Sequence, residues 1–191
     1  MEQQKRSVAE YSRKKAIAVV RLENQKGFDM LIDCWKRVAE QHPDWHLDIY
    51  GVGSLHDKLQ EQIDQLCLND YITLCGRSNN IMDVYPEYSL HIMSSRYEGQ
   101  PMTLIEAQAC GLPSVVFNFK FGAADIVQNG VNGIIVEQND RKALSEALCT
   151  MMSSEDMRKK YGQNAFEVGK QYFKNNVFSK WIELLEFISK A

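Results

Sequence analysis

Short continuous apolar runs alternate with amphipathic helical patterns along the chain from residue 16 onward. Residues 16–20 (AIAVV) form an apolar run that is typical of a strand buried on both faces. The following segment, GFDMLIDCWKRVAEQHP, places Phe28, Leu31 and Trp35 on one helical face. Pro43 closes that helix. The pattern therefore predicts a strand followed by a helix.

The same alternation continues to the end of the chain. Six βα units in a row imply a parallel sheet with helices on both faces. The predicted fold class is α/β, a Rossmann-like three-layer α/β/α arrangement with a six-stranded parallel sheet. Strands are predicted at residues 16–20, 45–50, 71–74, 90–93, 114–117 and 133–136, and helical segments at residues 28–42, 55–66, 81–88, 101–110, 124–128, 141–152, 156–173 and 177–190.

Composition is that of one globular domain. Of the 191 residues, 45% are hydrophobic and 25% charged, and the formal net charge of −3 provides no basic surplus for nucleic acid or an anionic membrane. Residues 1–14 form a polar lead-in or linker without the apolar core of a signal peptide, and no apolar run approaches the roughly 18 residues of a membrane span. The predicted domain covers residues 15–191.

Cysteine and histidine spacing indicates no metal chemistry. The five cysteines include no CxxC pair and lie within apolar patterns, which predicts reduced, buried thiols in a cytoplasmic protein. The four histidines have no HExxH or CxxC neighbours, and there is no G-x-S-x-G nucleophile elbow. We therefore expect no bound metal.

Several polar or glycine residues come directly after predicted strands. They are Arg21, Gly51, Gly53, Arg77 and Glu98. Open parallel sheets bind ligands beyond the carboxyl ends of their strands, near the switch in strand order. Scattered surface residues would not fall so regularly at strand ends, so these positions mark the candidate binding edge.

Two cations and a glycine pair are candidates for phosphate binding. Arg21 and Lys26 follow the first strand, where an Arg fork and a Lys point charge can neutralise a diphosphate, although two basic residues also suit a solvated loop. Gly51 and Gly53 allow close approach of the backbone to a phosphate, or simply form a tight turn. Position 56 is His, so the G-x-G-x-x-G fingerprint is incomplete and dinucleotide binding is weakly supported.

The segment SSRYEGQPMTLIEA, residues 94–107, predicts a loop and then a helix. Pro101 suits the first turn of a helix, because its missing N–H is not needed there. Gly111 and Pro113 mark the end, which places the helix at about residues 101–110. Glu98 then belongs to the loop, and Glu106 to the second turn.

This segment can offer both carboxylates and amides to a ligand. The free amides at the helix start, at Met102 and Thr103, form a ready anion site, while Glu98 can accept from sugar hydroxyls. The alternative is that Glu98 and Glu106 are ordinary solvated side chains. A glycosidase-like acid/base pair is disfavoured, because a helix start lies between the two carboxylates.

These blocks together resemble the retaining GT-B glycosyltransferases of the family-four type, also called glycosyl transferases group 1. The resemblance rests on SSRYEGQPMTLIEAQACGLPSVV, and on RLENQKGFDMLI, LDIYGVGSLHDKL, ITLCGR and VQNGVNGIIVEQNDRKALSEAL in the same order. It covers roughly residues 16–152. It implies that the domain is one half of a GT-B fold.

The resemblance also implies a role for each candidate position. Arg21 and Lys26 are expected to hold the donor diphosphate and stabilise its departure, and Glu98 to face the donor sugar. Glu106 is expected to bind the ribose hydroxyls. The remaining donor-binding positions are Gly53, the base-facing backbone of Arg77, the amides of Gly99, Gln100 and Met102, and Thr103. Gln100 departs from the family pattern, which usually has Phe there.

The implied reaction is transfer of a hexose-type sugar, with retention, to a glycan or lipid-linked acceptor in surface polysaccharide biosynthesis. The donor is expected to be a UDP-sugar, with a GDP-sugar as the alternative, and neither a cofactor nor a metal is required. Partners are the donor and a missing N-terminal acceptor domain, with no nucleic acid. Any membrane association is expected to be peripheral and to belong to the full-length enzyme.

The fragment alone is therefore expected to be inactive. Its last predicted helix, 177–190, is apolar at Phe178, Trp181, Ile182, Leu185 and Ile188, and is expected to contact the missing domain or another copy. Two other functions stay open: a non-catalytic nucleotide-sugar-binding module, and a nucleotide-sugar epimerase on the same fold.

Overall fold

Six parallel strands form the centre of the computed structural model, which describes residues 9–189. The strands are short, and the four central ones are mostly buried, as expected for a sheet covered on both faces. The strands are β1 Lys15–Val19, β2 His46–Tyr50, β3 Ile72–Gly76, β4 Leu90–Met93, β5 Ser114–Phe117 and β6 Gly133–Val136. The predicted six-stranded parallel sheet is confirmed.

Helices connect the strands and complete the chain. The α-helices are α1 Phe28–Gln41, α2 His56–Gln65, α3 Ile81–Val84, α4 Met102–Ala109, α5 Ala123–Ile126, α6 Arg141–Ser153, α7 Glu155–Lys170 and α8 Lys174–Ser189, with 3₁₀ turns at Asn24–Lys26 and Tyr85–Glu87.

The strand order is β3-β2-β1-β4-β5-β6. Strands β2 and β3 are added on one side of β1, and β4, β5 and β6 are added on its other side. The strand order therefore switches direction between β1 and β4. A crevice opens at such a switch, beyond the carboxyl ends of the strands. The loops after β1 and β4 therefore flank the position where a ligand is expected.

The two faces of the sheet pack in separate apolar clusters. Ala16 and Ala18 point to one face, where they join the cluster built by α1, α2 and α6. Ile17 points to the other face and packs with Tyr85, Tyr88 and residues of α4. This alternation is the pleat of a strand buried on both sides, and it fixes the register of β1 relative to both layers.

Helix α4 ends as the sequence predicts. Gly111 has φ +74, the Leu112 N–H donates to the Ala107 carbonyl at 3.0 Å, and the Gly111 N–H donates to the Gln108 carbonyl at 2.9 Å. These two bonds define a Schellman motif, which satisfies carbonyls that the helix end would otherwise leave unpaired. The segment that carries both candidate glutamates is thereby fixed at its far end.

Some predicted boundaries and burials are corrected. Helix α7 ends at Lys170 rather than at residue 173, and α8 begins at Lys174, so the two closing helices are separated by a three-residue turn. The predicted burial of all cysteines is wrong for Cys67, which is exposed, and for Cys75, which is partly exposed. Cys67 directly follows the C-cap of α2 and has φ +56, a turn conformation that apolar patterning does not reveal.

The residues before β1 pack against the domain. The Ala9 N–H donates to the Cys110 carbonyl at 3.1 Å, and the Tyr11 hydroxyl donates to the Gly111 carbonyl at 3.0 Å. The buried guanidinium of Arg158 donates to the Tyr11 carbonyl from both Nε and Nη2. Ala9 and Tyr11, within the predicted linker 1–14, therefore pack against the end of α4. Residues 1–8 of that linker lie outside the described residues.

Helix α8 contains no buried residue. Its apolar side chains are 37–73% exposed at Val177, Phe178, Trp181, Ile182, Leu184, Leu185, Phe187 and Ile188. None of these side chains belongs to the apolar clusters formed by the described residues. None of the helices in residues 9–189 is long and apolar enough to cross a membrane.

Candidate functional site

The predicted edge residues lie where the strands end. Arg21 follows β1, Arg77 follows β3, and Glu98 lies in the loop between β4 and α4. All three strands run parallel, so these loops share one edge of the sheet. The switch between β1 and β4 places Arg21 and Glu98 on opposite sides of one crevice.

A cavity of about 230 Å³ occupies that crevice. Six of the predicted donor-binding residues line it, together with Val20 and Pro101. Its lining residues are Val20, Arg21, Lys26, Glu98, Gln100, Pro101, Met102 and Thr103. Residues that are up to 83 positions apart in the chain therefore surround one space.

Lys26 and Glu98 form a buried ion pair at the wall of this cavity. Lys26 Nζ lies 2.6 Å from Glu98 Oε1, and the two side chains are only 10% and 7% exposed. The Ser95 hydroxyl donates to the same carboxylate oxygen at 2.6 Å. A buried charge is tolerated when it is paired and hydrogen-bonded, and both conditions hold here.

Gly27 allows the loop of Lys26 to approach the loop of Glu98 closely. Its φ of +66 suits glycine, and a Cβ there would lie 2.1 Å from the Ser94 carbonyl oxygen. The Ser94 hydroxyl donates to the Lys26 carbonyl at 3.0 Å. The backbone contact between the two loops therefore places the ammonium against the carboxylate.

The start of α4 faces the same cavity. The Met102 N–H, predicted to bind ligand, already donates to the Gln100 carbonyl at 2.9 Å. Thr103 lines the cavity, and its Oγ1 is buried with no hydrogen-bond partner among the described residues. Buried hydroxyls are normally paired, so this oxygen is an unusual feature of the helix start.

Gly99 and Gln100 form the outer rim of the cavity. Both are exposed, and a Cβ on Gly99 would meet no atom within 4 Å. Gln100 lines the cavity with its side chain, whereas Gly99 does not line it. The open space at Gly99 leaves its backbone accessible, which is compatible with the predicted amide contact.

Glu106 lies one helical turn behind Thr103 and is half-buried. The Tyr85 hydroxyl lies 3.3 Å from Glu106 Oε2 and also 3.3 Å from the Thr103 carbonyl. Burial raises the pKa of the Glu106 carboxyl, and the bond from Tyr85 offsets only part of that rise. A carboxylate with one weak partner keeps acceptor capacity for ligand hydroxyls.

A second cavity, of about 350 Å³, adjoins the first. The two share Val20 and Arg21, so the Arg21 side chain lies between them. The second cavity is lined by Val19, Val20, Arg21, Tyr50, Gly51, Val52, Arg77, Ser78 and Ile81. Its walls combine apolar side chains with backbone at strand ends, which suits a flat heterocycle.

Gly53 is not among the residues that line either cavity. A Cβ at this position would lie 2.4 Å from the Leu22 carbonyl oxygen. The neighbouring backbone is tied to the same loop, because the Leu22 N–H donates to the Val52 carbonyl at 3.0 Å. The glycine is thus explained by packing of two loops, as in the tight-turn interpretation.

No group of three or more His, Cys, Asp or Glu side chains within residues 9–189 could hold a metal ion. His91 is fully buried, and burial lowers its pKa to about 3, so it is a neutral core residue. His46 lies at the start of β2, where its hydrogen bond to Asp48 raises its pKa against the effect of burial.

Sequence patterns missed the residues that orient the charged side chains. Ser95 and Tyr85 each contact a predicted glutamate, yet both lie in segments that read as ordinary strand and helix ends. The only sequence signal for Ser95 is its place three residues before Glu98. No signal marks Tyr85, because its contact to Glu106 joins residues 21 positions apart.

A model of the family "Glycosyl transferases group 1" matches residues 1–168 of the chain. The chain therefore belongs to the group 1 glycosyltransferases. It is 33% identical over 171 residues to the amylovoran biosynthesis glycosyltransferase AmsD of Erwinia amylovora, a match that covers 90% of this chain and 48% of that protein. Relatives of this chain act in polysaccharide and glycan biosynthesis.

Solved structures show the same fold. The pneumococcal O-GlcNAc transferase GtfA, in complex with UDP and GlcNAc, matches with a TM-score of 0.85 at 24% identity, over 97% of this chain and 38% of that one. The C-terminal domain of the group 1 family protein LpcC from Francisella tularensis matches with a TM-score of 0.74 at 21% identity, over 89% of both chains. The fold is that of the C-terminal Rossmann-like domain of GT-B glycosyltransferases.

The chain spans about half the length, or less, of the curated relatives it matches: 51% and 48% of two of them, and 18% of a third.

Proposed function

We propose that this chain is the donor-binding half of a retaining glycosyltransferase that moves a hexose-type sugar from a nucleoside-diphosphate sugar to a glycan or lipid-linked acceptor. The observation that carries the proposal is the 230 Å³ cavity. Three charged side chains, Arg21, Lys26 and Glu98, converge there on the start of α4. The unpaired hydroxyl of Thr103 lies at the same place.

The cavity can hold the diphosphate and the sugar. Arg21 is exposed and lies between the two cavities, where its guanidinium can bind phosphate oxygens bidentately. Lys26 and the amino-terminal end of α4 add positive potential on the other side of the crevice. Glu98, held by Ser95 and Lys26, presents its second oxygen to sugar hydroxyls.

The nucleoside extends from there into the second cavity. Glu106 accepts hydrogen bonds from the ribose hydroxyls, and the base lies against the backbone at Arg77. A base with a flat apolar face matches the walls supplied by Val19, Tyr50 and Val52. GtfA, which has this fold, has been solved with UDP, and this supports UDP over GDP as the nucleotide.

The reaction is driven by electrostatics at the leaving group. When the bond from the anomeric carbon to the diphosphate breaks, negative charge grows on the phosphate oxygens. Arg21, Lys26 and the dipole of α4 stabilise that charge more in the transition state than in the bound donor. The domain needs no metal and no cofactor for this role, because the cations are its own side chains.

A second domain of the same enzyme supplies the acceptor site. The exposed apolar face of α8 is its contact surface, since contiguous exposed apolar residues mark interaction sites. The chain alone binds donor but transfers no sugar at a useful rate. Free thiols at all five cysteines fit the reducing cytoplasm as the place of action, in a pathway for surface polysaccharide.

Calorimetry tests donor binding directly. We expect the wild-type chain to bind UDP more tightly than GDP or ADP. Arg21→Gln should weaken UDP binding on the order of tenfold or more, because a hydrogen bond to a charged group is lost. Arg21 is exposed, so this change disturbs no packing.

Arg37→Gln is the matched control, since Arg37 is also exposed but lies on α1, 3.5 Å from Glu146. It should bind UDP as the wild type does. The proposal is wrong if the folded wild-type chain binds none of the three nucleotides.

A further inference from the structure

The loops after β1 and β4 are joined by hydrogen bonds outside the cavity. The Arg96 N–H donates to the Gln25 carbonyl at 2.7 Å, and Gln25 Nε2 donates to the Tyr97 carbonyl at 2.8 Å. The Ser94 hydroxyl donates to the Lys26 carbonyl at 3.0 Å. Each bond joins segments about 70 residues apart, so the two loops behave as one unit.

The Arg96 side chain adds the strongest link. Its Nη1 and Nη2 donate to the two carboxylate oxygens of Asp29 at 3.0 and 2.7 Å, and Nη1 also donates to the Asn24 carbonyl at 2.5 Å. A bidentate Arg–carboxylate pair fixes both distance and orientation. Burial alone would raise the pKa of the Asp29 carboxyl, but the Arg96 hydrogen bonds and charge hold it below its ordinary value.

These contacts lie close in sequence to Lys26 in one chain segment and to Glu98 in the other. Asn24, in the 3₁₀ turn, and Asp29, in the first turn of α1, lie on either side of Lys26, and Arg96 lies two residues before Glu98 in the loop after β4. The Lys26–Glu98 contact at 2.6 Å is thus set by a second, outer connection between the same two loops. We call Asp29 and Arg96 the loop clamp.

We propose that the loop clamp is a positioning device for the donor: Asp29 and Arg96 hold Lys26 and Glu98 at the separation that accepts the distal phosphate and the sugar. This inference rests on the proposed function. Neither clamp residue lines the cavity, so both act through the two residues that do. The clamp therefore acts on the distal phosphate and the sugar, and leaves the nucleoside contacts alone.

The partial exposure of the clamp distinguishes a role in positioning the donor site from a role in the global stability of the fold. The Arg96 and Asp29 side chains are 26% and 38% exposed, and partly solvated ion pairs add little to global stability. Geometry at a binding site is far more sensitive, because a small misplacement of a contact group costs affinity or rate. Loss of the clamp should thus change binding before it changes folding.

The test compares UDP with UMP, which lacks the distal phosphate, by calorimetry on the 191-residue chain. For Arg96→Ala we expect UDP affinity to fall on the order of tenfold while UMP affinity stays at the wild-type value. The preference for UDP, measured as the Kd for UMP divided by the Kd for UDP, therefore drops. Arg96→Lys, which keeps the charge but loses the fork, should restore part of that ratio.

Arg141→Ala is the matched control. Arg141 pairs with Asp33, one turn further along α1 than Asp29, and contacts neither crevice loop through its side chain. It should leave both affinities unchanged. Melting curves for all three variants should lie close to the wild type.

Two outcomes overturn the loop clamp. In the first, Arg96→Ala weakens the binding of UDP and of UMP equally. In the second, it weakens the binding of neither nucleotide. A wild-type chain that fails to bind UDP at all instead refutes the proposed function, so the two failures can be told apart.

Discussion

The loops around the crevice bury charged side chains, whereas helix α8 exposes apolar ones. Lys26 and Glu98 are almost inaccessible to solvent, while Trp181 and Phe187 are 57% and 73% exposed. Both arrangements reverse the usual distribution of side chains in a globular domain. The difference lies in where each group finds its partner.

The crevice loops satisfy most of their polar groups within the domain. Lys26 pairs with Glu98, Arg96 with Asp29, and the Ser94 and Ser95 hydroxyls donate across or within the loops. Such a site is pre-organised, because its geometry does not wait for a ligand. Thr103 Oγ1 is the exception among these groups, because it is buried without a hydrogen-bond partner in the described residues.

Helix α8 is regular in its backbone, but its apolar side chains remain exposed. None of its residues is buried, although half of its sixteen positions carry large apolar side chains. The comparison teaches that the crevice pairs its charged side chains within the domain, whereas α8 leaves its apolar side chains exposed. Three changes test this contrast, from the largest expected effect to the smallest.

Lys26→Met should have the largest effect on stability. It leaves the Glu98 carboxylate buried without its cation, and breaking a buried ion pair costs about 3–5 kcal/mol. We expect the lower end, about 3 kcal/mol, because Ser95 still donates to Glu98. Urea unfolding measures this loss.

The double variant Lys26→Met/Glu98→Leu should recover most of the stability, since no unpaired charge remains. Lys58→Met, at an exposed position of α2, should change the free energy of unfolding by less than about 0.5 kcal/mol. A Lys26→Met variant as stable as Lys58→Met would show that the pair is not buried as described.

Glu106→Gln should lower UDP affinity yet raise stability at neutral pH. The folded-state pKa of Glu106 is raised by burial, so the native chain holds this proton more tightly than the unfolded chain. The free energy of unfolding therefore falls as pH rises from the ordinary pKa of 4.5 through the raised value. In the Glu106→Gln variant, this decrease in the free energy of unfolding with rising pH is absent.

Urea unfolding at about pH 4 and about pH 7 measures the difference. Variant and wild type should be similar at the acid value, and the variant should be more stable at the neutral one. UDP affinity should drop on the order of tenfold. Glu183→Gln on α8 is the control, and equal pH profiles for wild type and Glu106→Gln would refute the burial argument.

Leu185→Ala should have the smallest effect. Leu185 is 60% exposed on α8, so truncation should change the free energy of unfolding by no more than about 0.5 kcal/mol. Leu104→Ala, in the buried face of α4, should cost about 2–5 kcal/mol. A large loss from Leu185→Ala would mean that α8 packs within the domain.

Much of the fold follows from local patterns. Apolar runs predicted all six strands, and β4, β5 and β6 have the predicted bounds. Gly111 and Pro113 predicted the end of α4, which its Schellman bonds confirm. These features depend on short-range chemistry, namely side-chain period and turn residues, and they are readable without a structure.

The pairing inside the site does not follow from local patterns. Strand ends predicted that Lys26 and Glu98 share an edge, but not that they form an ion pair 72 residues apart in sequence. Residue spacing also does not reveal that Gly53 packs against the Leu22 carbonyl, where a Cβ would lie 2.4 Å away, and its donor-binding role stays a prediction. Long-range contacts of this kind depend on loop geometry, which residue spacing does not encode.

The most direct test of the account is an amide correlation spectrum of the labelled chain during titration with UDP. We predict that the largest shifts fall in the crevice, at Arg21, Gly99, Thr103, Glu106 and Arg77, and that α8 does not respond. Shifts clustered on α8, or spread evenly over the domain, would contradict a donor site at the carboxyl edge of the sheet.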